Sequence, residues 1–168
     1  YCLRDRNSRG EICVAIIPVM PQGATLADRL LPSRELLRRV TAYLDGRKLV
    51  GTRIRVQAPV YRNFSVFLTL VFKSDVLDAE RLKKTIDRSL RSYFHPLEGS
   101  PGMGWEFGKA ITCGAVLKQL ERIEGILSVD ETSLFDADAG VMTEKIALRD
   151  DELAFLSEVN IENRREVS

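Results

Sequence analysis

Four glycines surround the single tryptophan of the chain in "PLEGSPGMGWEFGKAIT", residues 96–112. The stretch closes on Gly-Lys just ahead of a predicted helix. Phosphate binding is the chemistry such a loop suggests, because glycines let backbone amides approach an anion and a lysine neutralises it. That cradle has a fixed spacing, Gly, four residues, then Gly-Lys and a hydroxyl, directly after a strand. Here Gly104 and Gly108 enclose three residues, Gly102 and Gly108 enclose five, and Lys109 is followed by Ala110. The loop also follows a predicted helix, and it does not match the Gly-x-Gly-x-x-Gly dinucleotide fingerprint. The expectation is a loop whose glycines serve the fold, with no nucleotide or other cofactor.

Other reactive residues are sparse. His95 is the only histidine and stands just before Pro96, where a cap on a helix end suits it. Cys2, Cys13 and Cys113 are far apart with no Cys-x-x-Cys pair, so neither a disulfide framework nor a zinc site is expected. The acidic turn "DADAG" from Asp136 lacks the spacing and the closing glutamate of a calcium loop and reads as a solvated turn. No Ser-His-Asp set and no paired carboxylates in a glycosidase context emerge, so the chain is not expected to be an enzyme. With 25 basic and 24 acidic residues in 168, no bulk field favours nucleic acid or an anionic membrane. No apolar run reaches the ~20 residues of a membrane span. A chain that opens on Tyr1 reads as a fragment of something longer.

The elements that must position the loop follow from periodicity. "EICVAIIPV", residues 11–19, is apolar on both alternating sets, the mark of a strand interior to its sheet. Leu36, Leu37, Val40, Tyr43 and Leu44 repeat at helical spacing over 34–45, with Ser33 as N-cap and Gly46 as stop. "TRIRVQAPV" alternates Arg53, Arg55 and Gln57 against Ile54, Val56 and Ala58, as an edge strand does. After Pro59, residues 64–73 form a second interior strand. A helix over 79–94 has Asp78 as cap, a hydrophobic staple between Leu77 and Leu82, and a stripe of Leu82, Ile86, Leu90, Tyr93 and Phe94. Beyond the loop, Thr112 caps a short helix that Gly125 stops, and residues 126–135 read as a strand.

This order predicts an α+β fold. The ferredoxin-like split βαβ arrangement places its first and third strands inside one antiparallel sheet, with the helices on one face. Residues 12–18 and 64–73 fill those interior slots. The expected organisation is a lead-in over 1–10, the α+β domain over 11–135, and a β-rich extension over 136–168. That extension holds a hairpin turn, a strand near "EKIAL", a helical turn at "DDELAFL", a last strand at "EVNIE" and a loose tail. Trp105 and Phe107 are expected to plug the loop onto the second and third helices. Arg53 and Arg55 guard the strand edge and are candidates for a partner contact.

The loop also resembles a known family. Pro96, Leu97, Gly99, Gly102, Gly104, Trp105, Phe107, Gly108 and Lys109 match the glycine turn and Gly-Trp-x-Phe-Gly-basic motif in the C-terminal region of the baseplate J-like wedge proteins. These belong to contractile phage tails and contractile injection systems. "LLRRVTAYLDGRKLVGTRIRVQAPVY" and "GEICVAIIP" resemble further stretches of the family, extending the likeness over roughly residues 10–156. Glu106 departs from it, where the family usually has proline. The resemblance implies a structural protein with no catalytic residues. It implies other baseplate wedge subunits, hub or sheath-initiator proteins as partners, with self-association possible through leftover apolar surface. It further implies assembly in the bacterial cytoplasm and incorporation into a phage virion or phage-tail-like particle.

A competing reading is a ferredoxin-like module binding single-stranded RNA, since "RNFSVFLTL" faintly resembles a basic-aromatic RNP1 segment. It lacks that motif's glycines, the first strand offers no aromatic for stacking, and the near-neutral charge speaks against it.

Overall fold

The computed structural model of the chain describes residues 2–4, 11–19, 25, 29–99 and 104–164, which form three helices and nine strands in three sheets. The α+β class is as expected. The first sheet has the order β1-β2-β3, from β1 (Cys2–Arg4), β2 (Glu11–Ala15) and β3 (Arg53–Gln57). Strand β2 is antiparallel to β1 and parallel to β3. Parallel pairing needs a long crossover, and residues 16–52 supply it with helix α1 (Arg34–Asp45), which packs against β3. The Ser33 hydroxyl accepts from the Leu36 N–H at 3.1 Å, so the predicted N-cap forms.

The second sheet has the order β7-β6-β4-β9. Its centre is β4 (Val60–Phe72), antiparallel to β6 (Ile126–Asp136) and parallel to β9 (Glu152–Asn163), while β7 (Val141–Thr143) flanks β6. One face is the main core. Phe64, Val66, Leu68 and Leu70 alternate inward along β4 and are buried together with Ile86, Leu90 and Phe94 of α2 (Ala79–Phe94) and Val116 and Leu120 of α3 (Cys113–Leu120). Each such side chain contributes roughly 1.5–3 kcal/mol on burial. Asp78 and Thr112 cap these two helices as expected. A two-stranded piece, β5 (Ile111–Thr112) with β8 (Lys145–Ile146), closes the side near α3.

Three expectations change. The strands near 12–18 and 64–73 are both interior, but to different sheets, so the single four-stranded antiparallel sheet is not formed. Two-sided apolarity reports that a strand has neighbours; it does not say which ones. In consequence α1 lies with the first sheet and α2 with the second. Next, the segment "DDELAFL", expected as a helical turn, runs into β9. Residues 136–168 therefore supply β7, β8 and β9, and two of these strands sit in the same sheet as β4. Lastly, Leu77 is fully exposed and forms no staple. Val76 and Leu82 instead close over Gly125, whose φ of +98° marks the turn into β6 rather than the end of α3.

The second face of the β4 sheet is covered only in part. Around Tyr61, Leu153 and Phe155 it carries the segment at Leu30, which is buried, with the Tyr61 hydroxyl donating to the Leu30 carbonyl at 3.0 Å. Farther along, Phe67 and Met142 stand 37% and 53% exposed.

Candidate functional site

The glycine loop begins where α2 stops. The His95 carbonyl accepts from both the Gly99 and the Trp105 N–H groups, each at 3.0 Å, folding the loop back on the helix end. Gly104 makes this return possible. Its φ is +58°, and a Cβ there would lie 1.8 Å from the Pro96 carbonyl oxygen. No side chain fits at that approach. Residues 100–103, Gly102 among them, lie outside the described residues.

Trp105 turns into the main core and is buried. Its ring meets Tyr93 at 5.4 Å and Phe94 at 4.7 Å between centroids, and Phe94 in turn meets Phe64 edge-on. The indole N–H donates to the Lys109 carbonyl at 3.1 Å, which satisfies the one polar atom of a buried tryptophan. The Lys109 ammonium sits over the same ring at 4.5 Å. Phe107 points elsewhere: it packs on Cys13 and Ala15 of β2, not on the helices as expected. Gly108, at φ +69°, donates to the Glu152 carbonyl at 3.0 Å where β9 begins. The loop thus joins α2, the first sheet and the start of β9. The amide of Gly108 is spent on the Glu152 carbonyl, while Lys109 stays exposed with its ammonium resting on the indole.

His95 does cap α2, but from inside the protein. It is buried, and its Nδ1 accepts from the Leu97 and Glu98 N–H groups, both at 3.2 Å. That geometry belongs to neutral imidazole with its proton on Nε2. Burial pushes the His95 pKa below its ordinary value, with the Glu98 carboxylate opposing in part.

Arg53 and Arg55 are exposed on β3, at the edge of the first sheet. Register pairs them with Glu11 and Cys13, so they share the sheet face on which Phe107 packs. Arg55 stands 3.5 Å from Glu11. The two cysteines with described side chains, Cys13 and Cys113, are free thiols. Among the described residues no three His, Cys, Asp or Glu side chains converge as a metal-binding group. No described helix is long and apolar enough to cross a membrane.

Two arginine networks were not anticipated. Arg62 donates to the buried Asp136 carboxylate at 2.6 Å, while the other Asp136 oxygen accepts from the Asp138 and Ala139 N–H groups. Burial alone would raise the Asp136 pKa, but the Arg62 hydrogen bond and those amides hold it below the usual carboxylate value. The acidic turn is therefore tied to its own arginine. Arg91 of α2 grips Asp87 with its Nε and donates to the Leu156 and Ser157 carbonyls at 2.8 and 3.2 Å. Those carbonyls flank the bulge in β9, where Leu156 opposes Phe64 and Glu158 opposes Ser65. The Asp87/Arg91 spacing of four was the visible signal; the bulge was not.

The open part of the second face completes the picture. Register places Ser133 and Asn160 on either side of Phe67, and Glu131 and Glu162 on either side of Thr69. Together with Met142 these residues line a shallow depression of about 470 Å³ that contains no lysine or arginine. An RNA-binding sheet would need the opposite charge.

No protein-family model matches the sequence, and no curated protein matches it. Among solved structures, the chain is similar in fold to one in the cryo-EM structure of the anti-feeding prophage (AFP) baseplate, 6-fold symmetrised, with a TM-score of 0.59 at 13% identity. The likeness covers 90% of this chain and 29% of that one. The chain thus spans under a third of the length of the baseplate protein it resembles.

Proposed function

We propose that this chain is a structural, non-catalytic part of a contractile baseplate, acting through protein–protein assembly in the manner of a wedge subunit. One observation carries the reading: 90% of the chain shares its fold with part of a protein in a prophage baseplate. The Gly104-Trp105-x-Phe107-Gly108-Lys109 loop supports it, since the motif that resembles the wedge family is the one that joins both sheets. The chemistry supports it as well. The Gly99, Trp105 and Gly108 amides and the Trp105 indole are bonded within the fold, as befits a loop that holds elements together.

On this reading its partners are other wedge, hub or sheath-initiator proteins of the same particle, assembled in the bacterial cytoplasm. The test is co-expression with the proteins encoded beside it, followed by affinity capture and electron microscopy. The expected result is a stoichiometric complex with a named baseplate protein, and loss of sheathed particles when this protein is deleted. Particles that assemble normally without it would overturn the proposal.

A further inference from the structure

The exposed surfaces of α1 and of the β4 sheet are complementary. Residues 34–55 carry seven Arg and Lys against two Asp and Glu, and all seven cations are exposed. On the outer side of α1, Arg39 and Tyr43 stand four residues apart, and Arg47, in the turn just past the helix, lays its guanidinium 3.8 Å over the Tyr43 ring. Arg39 and Tyr43, so spaced, are neighbours on the helix surface. Tyr43 is 58% exposed. The surface there reads cation, aromatic, cation, with the second cation folded back over the ring and donating to the Tyr43 carbonyl at 3.2 Å.

The open face of the β4 sheet has the inverse pattern. Glu131 and Glu162 lie on the two strands flanking β4, roughly 10 Å apart at about 4.8 Å per strand, with Thr69 between them. Beside them are the exposed ring of Phe67 and the exposed thioether of Met142. A sheet face with apolar residues at its centre is normally covered by a helix or a second sheet. Here the first sheet and α1 lie elsewhere in the chain, and the depression stays open.

We propose that α1 of a second copy of this chain covers it. Tyr43 would lie against Phe67 and Met142, while Arg39 and Arg47 meet Glu131 and Glu162. Because the two surfaces differ, the contact is heterologous: each copy offers its helix to one neighbour and its sheet to another, which produces rings or open chains rather than a closed dimer. Opposite charges on the two surfaces speed encounter and fix register. The proposal rests on these two surfaces and not on the baseplate reading.

Sedimentation velocity over a wide concentration range is the test. The wild-type chain should form oligomers that grow past the dimer. They should weaken at least tenfold between about 0.01 M and about 0.15 M salt, as the Debye length falls from roughly 30 Å to 8 Å. The variants Glu131→Arg/Glu162→Arg and Arg39→Glu/Arg47→Glu change only exposed side chains. Each alone should lose self-association at unchanged melting temperature, and an equimolar mixture should restore it, because reversed sheet then meets reversed helix. A wild-type chain that stays monomeric at every concentration in low salt would overturn the proposal. So would variants that still self-associate, or a mixture that does not recover. None of these results would touch capture of other baseplate proteins, so the two readings fail separately.

Discussion

At the scale of single residues, Trp105 and His95 hold the loop in place. Trp105 is buried among Tyr93, Phe94 and Lys109, so its truncation removes a large apolar volume and leaves the Lys109 carbonyl without its indole donor. We predict that Trp105→Ala lowers stability by about 3–5 kcal/mol, read as a shift of the urea midpoint at constant slope. His95 gives a pH signature. Its folded pKa lies below the ordinary value because the imidazole is buried and neutral, so the unfolded chain takes up the proton first. Stability from this group is present above the ordinary histidine pKa and is lost as pH falls below it. Tyr61 and Arg91 line the same crevice, and Arg91 is held by Asp87. Of these groups His95 alone titrates ordinarily near pH 6.5. The melting temperature should decline from about pH 7 to pH 5, and His95→Asn, which keeps an acceptor where Nδ1 sits, should flatten that decline.

At the scale of elements, β9 decides whether the second sheet exists. Residues 152–163 pair with β4 along most of its length, place Ala154 and Leu156 in the main core, and receive the Arg91 side chain at their bulge. A segment that supplies core and ladder together cannot be removed without exposing β4, the central strand. We predict that a chain ending at residue 149 loses cooperative thermal unfolding, followed by circular dichroism. A truncated chain that still melts in one sharp transition would show residues 150–168, and β9 with them, to be dispensable for the fold. Helix α1 behaves differently. None of its residues is fully buried, and its apolar face packs on β3 through half-buried Leu36, Leu37, Val40 and Leu44.

At the scale of the whole molecule, the loop unites two sheets. Trp105 enters one packed region and Phe107 the other, two residues apart across a bend and a turn. Gly104 and Gly108 permit the tight return and the left-handed turns. ATP or GTP with magnesium should accordingly leave the melting temperature unchanged. A nucleotide at 100 times its Kd would add about 2.7 kcal/mol, a rise that differential scanning fluorimetry detects easily.

Much of this was legible in the residues. Ser33, Asp78 and Thr112 announced three helix starts, because a cap is a contact between residues three apart and needs no tertiary context. The alternation of Phe64, Val66, Leu68 and Leu70 marked an interior strand. The tertiary structure decided what no local pattern encodes. It set β2 parallel to β3 instead of beside β4, turned "DDELAFL" into a strand, buried His95, and sent Phe107 to the first sheet. These choices depend on which distant surfaces fit together. Periodicity along a chain records how much of each face is buried, and leaves open what buries it.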